Sequence, residues 1–435
     1  PRAMCVRGVV CGVCVARRAA GFGTAPRRAA PLCMAVATKA KVEAEPSLSE
    51  RIASLVSVLK ARVAQFAVRF ATSEGVIKLI ARFLSAKVSA TFLGLLESYI
   101  CAVAKHVGDR KRAAAITIKT FQKMMMAYAI QMEEKYEFPS YHRSIRAPFN
   151  YYDLGMMYVG NLLNFSRSLV RNPDRWDEID QRLKDGENVV LFANHQSEAD
   201  AAFIPLMTEF SHPGLGERVI YVAGDRVVED TLAKPFSMGR NLLCVYSKKH
   251  MADFPETRSA KMRKNIATIK EIERLMKEGG HLIWVAPAGG RDRPNAETGV
   301  LLPDKWDPDA VELFRKLSSK KGTKPTHFFP LAMATHDIMP PPKATEKSLG
   351  EDRTVAYSGV GLSLAAELDV SDSSPAYEGV DMDDAVARKG ALAAYGYEKV
   401  VEEYKKIDGC MHGDDTEPLD TTDAFIPRRP DYIES

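Results

Sequence analysis

Asn188-Val-Val-Leu-Phe-Ala-Asn-His-Gln-Ser-Glu-Ala-Asp200 is the stretch on which the reading of this chain turns. Asn188 to Ala193 is a short apolar run with two valines and a phenylalanine, the pattern of a buried strand. A polar turn carrying His195 stops it, and a helical pattern begins at Asp200. A histidine at the end of a strand can be oriented by a carboxylate one turn away. The carboxylate accepts one ring N–H and fixes the tautomer, so that the other nitrogen can take a proton. That is a general base with its orienter, and no nucleophilic side chain is required. Taken alone, the spacing is weak: with nine histidines and 56 acidic residues, His-x4-acid also arises by chance. A histidine that caps the following helix is the competing account.

Outward from this stretch the pattern alternates. Strand-like runs at 218–223, 241–246, 281–286 and 327–333 are interleaved with helical patterns at 199–209, 259–278 and 308–318. Such alternation predicts an α/β domain over 153–435 with a mixed, mainly parallel sheet. Residues 340–375 read as a surface loop around a strand near 354–364, residues 380–406 as an amphipathic helix, and the tail from Cys410 as irregular.

Toward the N-terminus, residues 139–152 break the helical period and read as a connector. Before them, Ser47-Leu-Ser-Glu50 is a capping box, followed by apolar residues at helical spacing from Ile52 to Phe70. Further helical patterns cover 76–88, 91–107 and 112–135, and Met124, Met125 and Met126 read as core filler. Residues 43–138 are therefore expected to form a helical, four-helix domain. Arg82, Lys87 and Glu97 interrupt the best apolar run, so no membrane span is expected. Residues 1–42 hold eight Lys/Arg and no acid, the profile of an organellar transit peptide, with plastid or mitochondrion preferred over secretion.

At 435 residues, two domains are the default, and 46% hydrophobic with 27% charged residues is ordinary globular composition. The net charge of +4 is carried by the leading segment; the remainder is net −4, which gives no support to nucleic-acid binding. Four of the seven cysteines lie in that segment, and Cys101, Cys244 and Cys410 are too scattered for a disulfide framework or a zinc site.

Two basic motifs also follow strands: Ser247-Lys-Lys-His250 and Pro287-Ala-Gly-Gly-Arg-Asp-Arg293. In an open α/β sheet the carboxyl-end loops of parallel strands converge on one crevice. His195, Lys249, His250, Arg291 and Arg293 are thus expected to meet there, with Gly289 and Gly290 allowing positive φ before the arginines. Arg and Lys around a base in an acidic domain suggest a small phosphorylated substrate; solvated surface charge is the alternative. There is no phosphate-binding Gly-x-x-x-x-Gly-Lys-Ser/Thr loop, no complete Gly-x-Gly-x-x-Gly and no nucleophile elbow, and His327 and His336 lack metal-ligand company.

The blocks Phe192-Ala-Asn-His-Gln-Ser-Glu-Ala-Asp200, Ser247-Lys-Lys-His250 and Ala286-Pro-Ala-Gly-Gly-Arg-Asp-Arg-Pro294 resemble the soluble plastid glycerol-3-phosphate acyltransferases. So does Phe138-Pro-Ser-Tyr-His-Arg-Ser-Ile-Arg146, and the resemblance runs in order from about Ser47 to near the C-terminus. Ala288 stands where serine is expected. The resemblance implies a stromal enzyme with a small helical domain packed on a larger α/β domain. It implies transfer of a fatty acyl group from acyl carrier protein, or acyl-coenzyme A, to the sn-1 hydroxyl of glycerol 3-phosphate. By matching positions it makes His195 the base and Asp200 its partner, with Lys249, His250, Arg291 and Arg293 on the phosphate. It implies no cofactor and no metal, and peripheral membrane contact is compatible with it. The rival readings are acylation of lysophosphatidate at sn-2 and a non-catalytic protein that binds a phosphate ligand or the acyl carrier. Arg258, Lys261, Arg263 and Lys264, on one expected helix, offer a basic surface for an acidic carrier protein.

Overall fold

The computed structural model describes residues 73–81, 86–133, 135–230, 232–246, 255–341, 353–412 and 418–433, all within one compact unit. The expected transit segment, the capping box at Ser47–Glu50, the expected helix 52–70 and the motif Ser247–His250 lie outside these residues.

Among the described residues a nine-stranded sheet forms the centre. Its strands are β1 (Tyr141–His142), β2 (Leu169–Arg171), β3 (Asn188–Ala193), β4 (Ile220–Gly224), β5 (Asn241–Val245), β6 (Leu282–Val285), β7 (Thr326–Ala334), β8 (Gly361–Leu364) and β9 (Ala424–Phe425). They run in the order β1-β5-β4-β6-β3-β7-β8-β2-β9. From β5 to β7 every pairing is parallel. Antiparallel pairs occur toward the edges, β1 on β5, β8 on β7 and β9 on β2. The sheet is mixed and mainly parallel, as the alternation of strands and helices predicts.

Why β3 sits in the middle follows from its composition. All six of its residues are buried, as a parallel strand covered on both faces requires. Val189, Leu191 and Ala193 join one core, and Val190 and Phe192 join the other, the two-residue alternation of a strand. Helices Tyr151–Gly160 and Asp200–Thr208 cover the first face, together with Ala86–Val107 and Arg110–Glu133. Helices Pro255–Glu278, Pro308–Ser318 and Ala385–Tyr404 cover the second. On that side Phe192 stacks on Phe328 (centroids 5.5 Å apart, 12° between planes) and meets Trp306 and Phe314 at 5.6 and 6.1 Å.

The helices Ala86–Val107 and Arg110–Glu133 are joined to the rest by buried and half-buried polar contacts as well as apolar ones. The Tyr99 hydroxyl donates to the Tyr158 carbonyl at 2.7 Å, and the Tyr128 hydroxyl to the Leu232 carbonyl at 2.9 Å. No helix among the described residues is long and apolar enough to cross a membrane.

The sequence reading did not include β2 or the helices Tyr151–Gly160 and Pro173–Lys184, and the structure differs from it in two further segments. The connector contains β1, whose Tyr141 and His142 pair with Leu243 and Leu242, and His142 is buried. The tail contains a short helix, Gly409–His412, and β9, which pairs with β2. Edge pairs two residues long are made by backbone hydrogen bonds and leave no hydrophobic period to detect.

Candidate active site

His195 lies just past the carboxyl end of β3, and Asp200 opens the helix Asp200–Thr208. His195 Nδ1 is 2.7 Å from Asp200 Oδ2. With the carboxylate as acceptor, Nδ1 carries the proton and Nε2 the lone pair. Asp200 is 2% exposed and His195 26%, so the pair has a buried and a solvent-accessible end.

Asp200 does more than hold the ring. Its Oδ2 accepts the Gln196 amide at 2.8 Å, and its Oδ1 accepts the Ser197 amide at 3.2 Å and the Thr335 hydroxyl at 2.6 Å. One carboxylate thus fixes the imidazole and ties down the loop that carries it. These amides precede the helix, so the role is loop closure rather than capping of the helix that follows. The Ala199 amide donates to Ser197 Oγ at 3.1 Å. The Gln196, Ser197 and Ala199 amides at the helix start are therefore occupied by protein acceptors.

Neighbouring strands complete the frame. Asn194 donates to the Met333 carbonyl at 3.0 Å and accepts the Met333 amide at 2.8 Å. Gln196 accepts the Thr335 amide at 2.9 Å and donates to the Tyr404 hydroxyl at 3.0 Å. Trp284, on β6, meets the His195 ring edge-to-face, with centroids 5.7 Å apart and 84° between planes.

The loop after β6 brings the arginines. The Asp292 amide donates to the His195 carbonyl at 2.6 Å, and Asp292 Oδ2 accepts from Asn194 Nδ2 at 2.8 Å. Burial pushes the Asp292 carboxyl up to about 7, against the hydrogen bonds from Asn194 and the Asp304 amide. Gly289 has φ +68°, while Gly290 does not adopt positive φ; only the first glycine is needed for its left-handed conformation. Arg291 and Arg293 flank Asp292, and Arg293 is exposed. Arg291 Nη1 contacts Glu198 Oε1 at 2.7 Å. His195, Asp200, Arg291 and Arg293 are therefore carried by two adjoining segments at the carboxyl ends of the central strands β3 and β6. Lys249 and His250 lie outside the described residues. Their strand β5 is parallel to β4 and β6, and its exit is held by Asn265, which accepts the Tyr246 amide at 2.7 Å and donates to its carbonyl at 2.9 Å.

Several residues of this network escaped the sequence reading. Asn194, Glu198 and Asp292 sit inside the motifs quoted above, where an unpaired reading gives them no partner. Thr335 comes from far along the chain and carries no spacing signal. Among the described residues no cluster of three or more His, Cys, Asp or Glu could hold a metal ion.

A base with its orienter beside guanidinium groups suits proton removal from a hydroxyl on an anionic substrate. Comparison with known proteins gives the family. The Acyltransferase family model matches residues 175–334, which contain the His195, Asp200 and Arg291 loops. The chain is similar to the chloroplastic glycerol-3-phosphate acyltransferase of Spinacia oleracea, 42% identical over 69% of this chain and 62% of that protein. It is also similar to those of Pisum sativum, 40% identical over 76% of this chain and 70% of that protein, and Arabidopsis thaliana, 39% over 75% and 70%.

Proposed function

The chain belongs to the chloroplastic glycerol-3-phosphate acyltransferase family and is an acyltransferase, and from that premise we propose its reaction, its residue roles and its partners. It moves a fatty acyl group from acyl carrier protein, with acyl-coenzyme A as the alternative donor, to the sn-1 hydroxyl of glycerol 3-phosphate in the chloroplast stroma. The observation that carries this reading is the 2.7 Å contact between His195 Nδ1 and the buried Asp200.

His195 Nε2 takes the hydroxyl proton as that oxygen attacks the thioester carbonyl. The imidazolium so formed is stabilised by Asp200, whose second oxygen is already satisfied by Thr335 and Ser197. The tetrahedral intermediate collapses with cleavage of the C–S bond, and the imidazolium returns the proton to the departing thiolate. Every proton and electron pair balances with these groups and the two substrates, so the proposal includes no cofactor. Arg291 and Arg293, with Lys249 and His250 from the third loop, bind the phosphate. Holding both substrates in register supplies much of the acceleration.

For the donor, the helix Pro255–Glu278 presents exposed Arg258 and Arg263 beside exposed Met262 and Ile266. Basic residues beside an apolar pair fit an acidic carrier protein. Lys261 and Lys264 instead lean on the Tyr246 ring, at 5.5 and 5.6 Å, so the two arginines are the stronger candidates for docking.

The test is acyl transfer by the full chain from palmitoyl or oleoyl carrier protein to radiolabelled glycerol 3-phosphate, with lysophosphatidate as the alternative acceptor. Labelled lysophosphatidate, abolished in His195→Ala and recovered in Arg291→Ala only at high acceptor concentration, is the expected result. Acylation of lysophosphatidate instead, or binding of glycerol 3-phosphate without turnover, would overturn it.

A further inference from the structure

Glu198 stands in the loop between His195 and Asp200, and both of its oxygens are taken by guanidinium groups. Oε1 meets Arg291 Nη1 at 2.7 Å, and Oε2 accepts from Arg353 Nε at 3.1 Å. Arg353 Nη2 also donates to Asp230 Oδ2 at 2.9 Å. Arg353 and Arg291 are mostly buried, at 13% and 16% exposed. Burial works against the charge of Arg353, and Glu198 and Asp230 outweigh it, so its pKa is raised.

A carboxylate this close to an arginine meant for a phosphate is a problem unless it is neutralised. Alone, Glu198 would compete for Arg291 and repel the incoming dianion. Arg353 removes both effects by taking the second oxygen. It is itself satisfied by two carboxylates, Glu198 and Asp230, whereas Arg291 only shares one. The four charges cancel, but Arg353 divides its donors between two carboxylates while Arg291 meets one, so Arg291 keeps the larger share of its donors for an incoming anion.

We propose that Arg353 is a positioning residue for the acceptor's phosphate: it neutralises and holds Glu198, leaving Arg291 aimed and available, and does not itself touch substrate. Nothing in the sequence near Arg353 marks it, because the connection is made only by the meeting of distant loops. This inference rests on the phosphate-binding role given to Arg291 above.

The experiment is steady-state kinetics of the full chain for wild type, Arg353→Gln, Glu198→Gln and the double variant. Arg353→Gln should raise KM for glycerol 3-phosphate about tenfold, a coupling typical of contacting residues. Its kcat and its KM for the acyl donor should stay within about twofold of wild type. Glu198→Gln, which keeps a hydrogen-bond acceptor without the charge, should leave the acceptor KM unraised. The double variant should recover most of the loss, because the uncompensated carboxylate is gone. Impairment in the double variant equal to or greater than that in Arg353→Gln would overturn the proposal and make Arg353 a direct phosphate ligand. An unmoved KM in Arg353→Gln, or a tenfold rise in Glu198→Gln, would also overturn it. Circular dichroism separates misfolding from these outcomes. If Arg353→Gln does not fold, Glu198→Gln and the double variant decide the question by the same criteria. A wild-type chain without transfer to glycerol 3-phosphate would overturn the functional reading itself, and the inference with it.

Discussion

A carboxylate as buried as Asp200 is tolerable only because four groups donate to it: the His195 ring, two amides and the Thr335 hydroxyl. His195→Ala should lower kcat about 10²–10⁴-fold with little change in acceptor KM, as removal of a general base does. Thr335→Val keeps the volume close but deletes one donor, and kcat should fall by a smaller factor, about tenfold, with substrate affinity retained. Single-turnover rates would check both. Asp292 makes a different prediction. Its folded pKa of about 7 lies above the ordinary 3.8, so the folded chain holds this proton more tightly than the unfolded one. Its contribution to stability is therefore full below about pH 4 and is lost as pH rises through about 7. Asp292→Asn should flatten that part of the Tm profile between about pH 4 and about pH 7, measured by thermal denaturation.

At the scale of elements, the candidate site residues follow the carboxyl ends of parallel strands. β3 is followed by His195, and β6 by Arg291 and Arg293. These strands are legible because each is a short apolar run ended by a polar turn, and the contact between His195 and Asp200 is legible because five residues separate them. The helices Pro255–Glu278, Pro308–Ser318 and Ala385–Tyr404 likewise lie where the 3.6-residue period predicts. The edge strands β1 and β9 did not announce themselves, since a pair of residues has no period. The helix Pro255–Glu278 carries its own prediction. Arg258→Glu with Arg263→Glu should raise KM for acyl carrier protein donors more than for acyl-coenzyme A, with the acceptor KM unchanged. Equal effects on both donors would remove this face from consideration.

For the whole molecule, a single sheet with a core on each face makes the site depend on packing far from it. Phe192 is fully buried between Phe328, Trp306 and Phe314, three residues before His195. Phe192→Ala should cost about 3–5 kcal/mol, read by chemical denaturation, and activity should be lost at lower denaturant than in wild type. What the sequence alone determined is what neighbours in the chain can encode: the alternation of strands and helices, the polar turns that end strands, and the His195–Asp200 spacing. The strand order was decided by tertiary structure, and with it the approach of Thr335 to Asp200, the burial of Asp292 and the meeting of Arg291, Glu198 and Arg353. The reason is physical. Periodicity and short spacings follow from local backbone geometry, whereas contacts across 100 or more residues exist only once the sheet has fixed which loops are adjacent, and no local pattern specifies that.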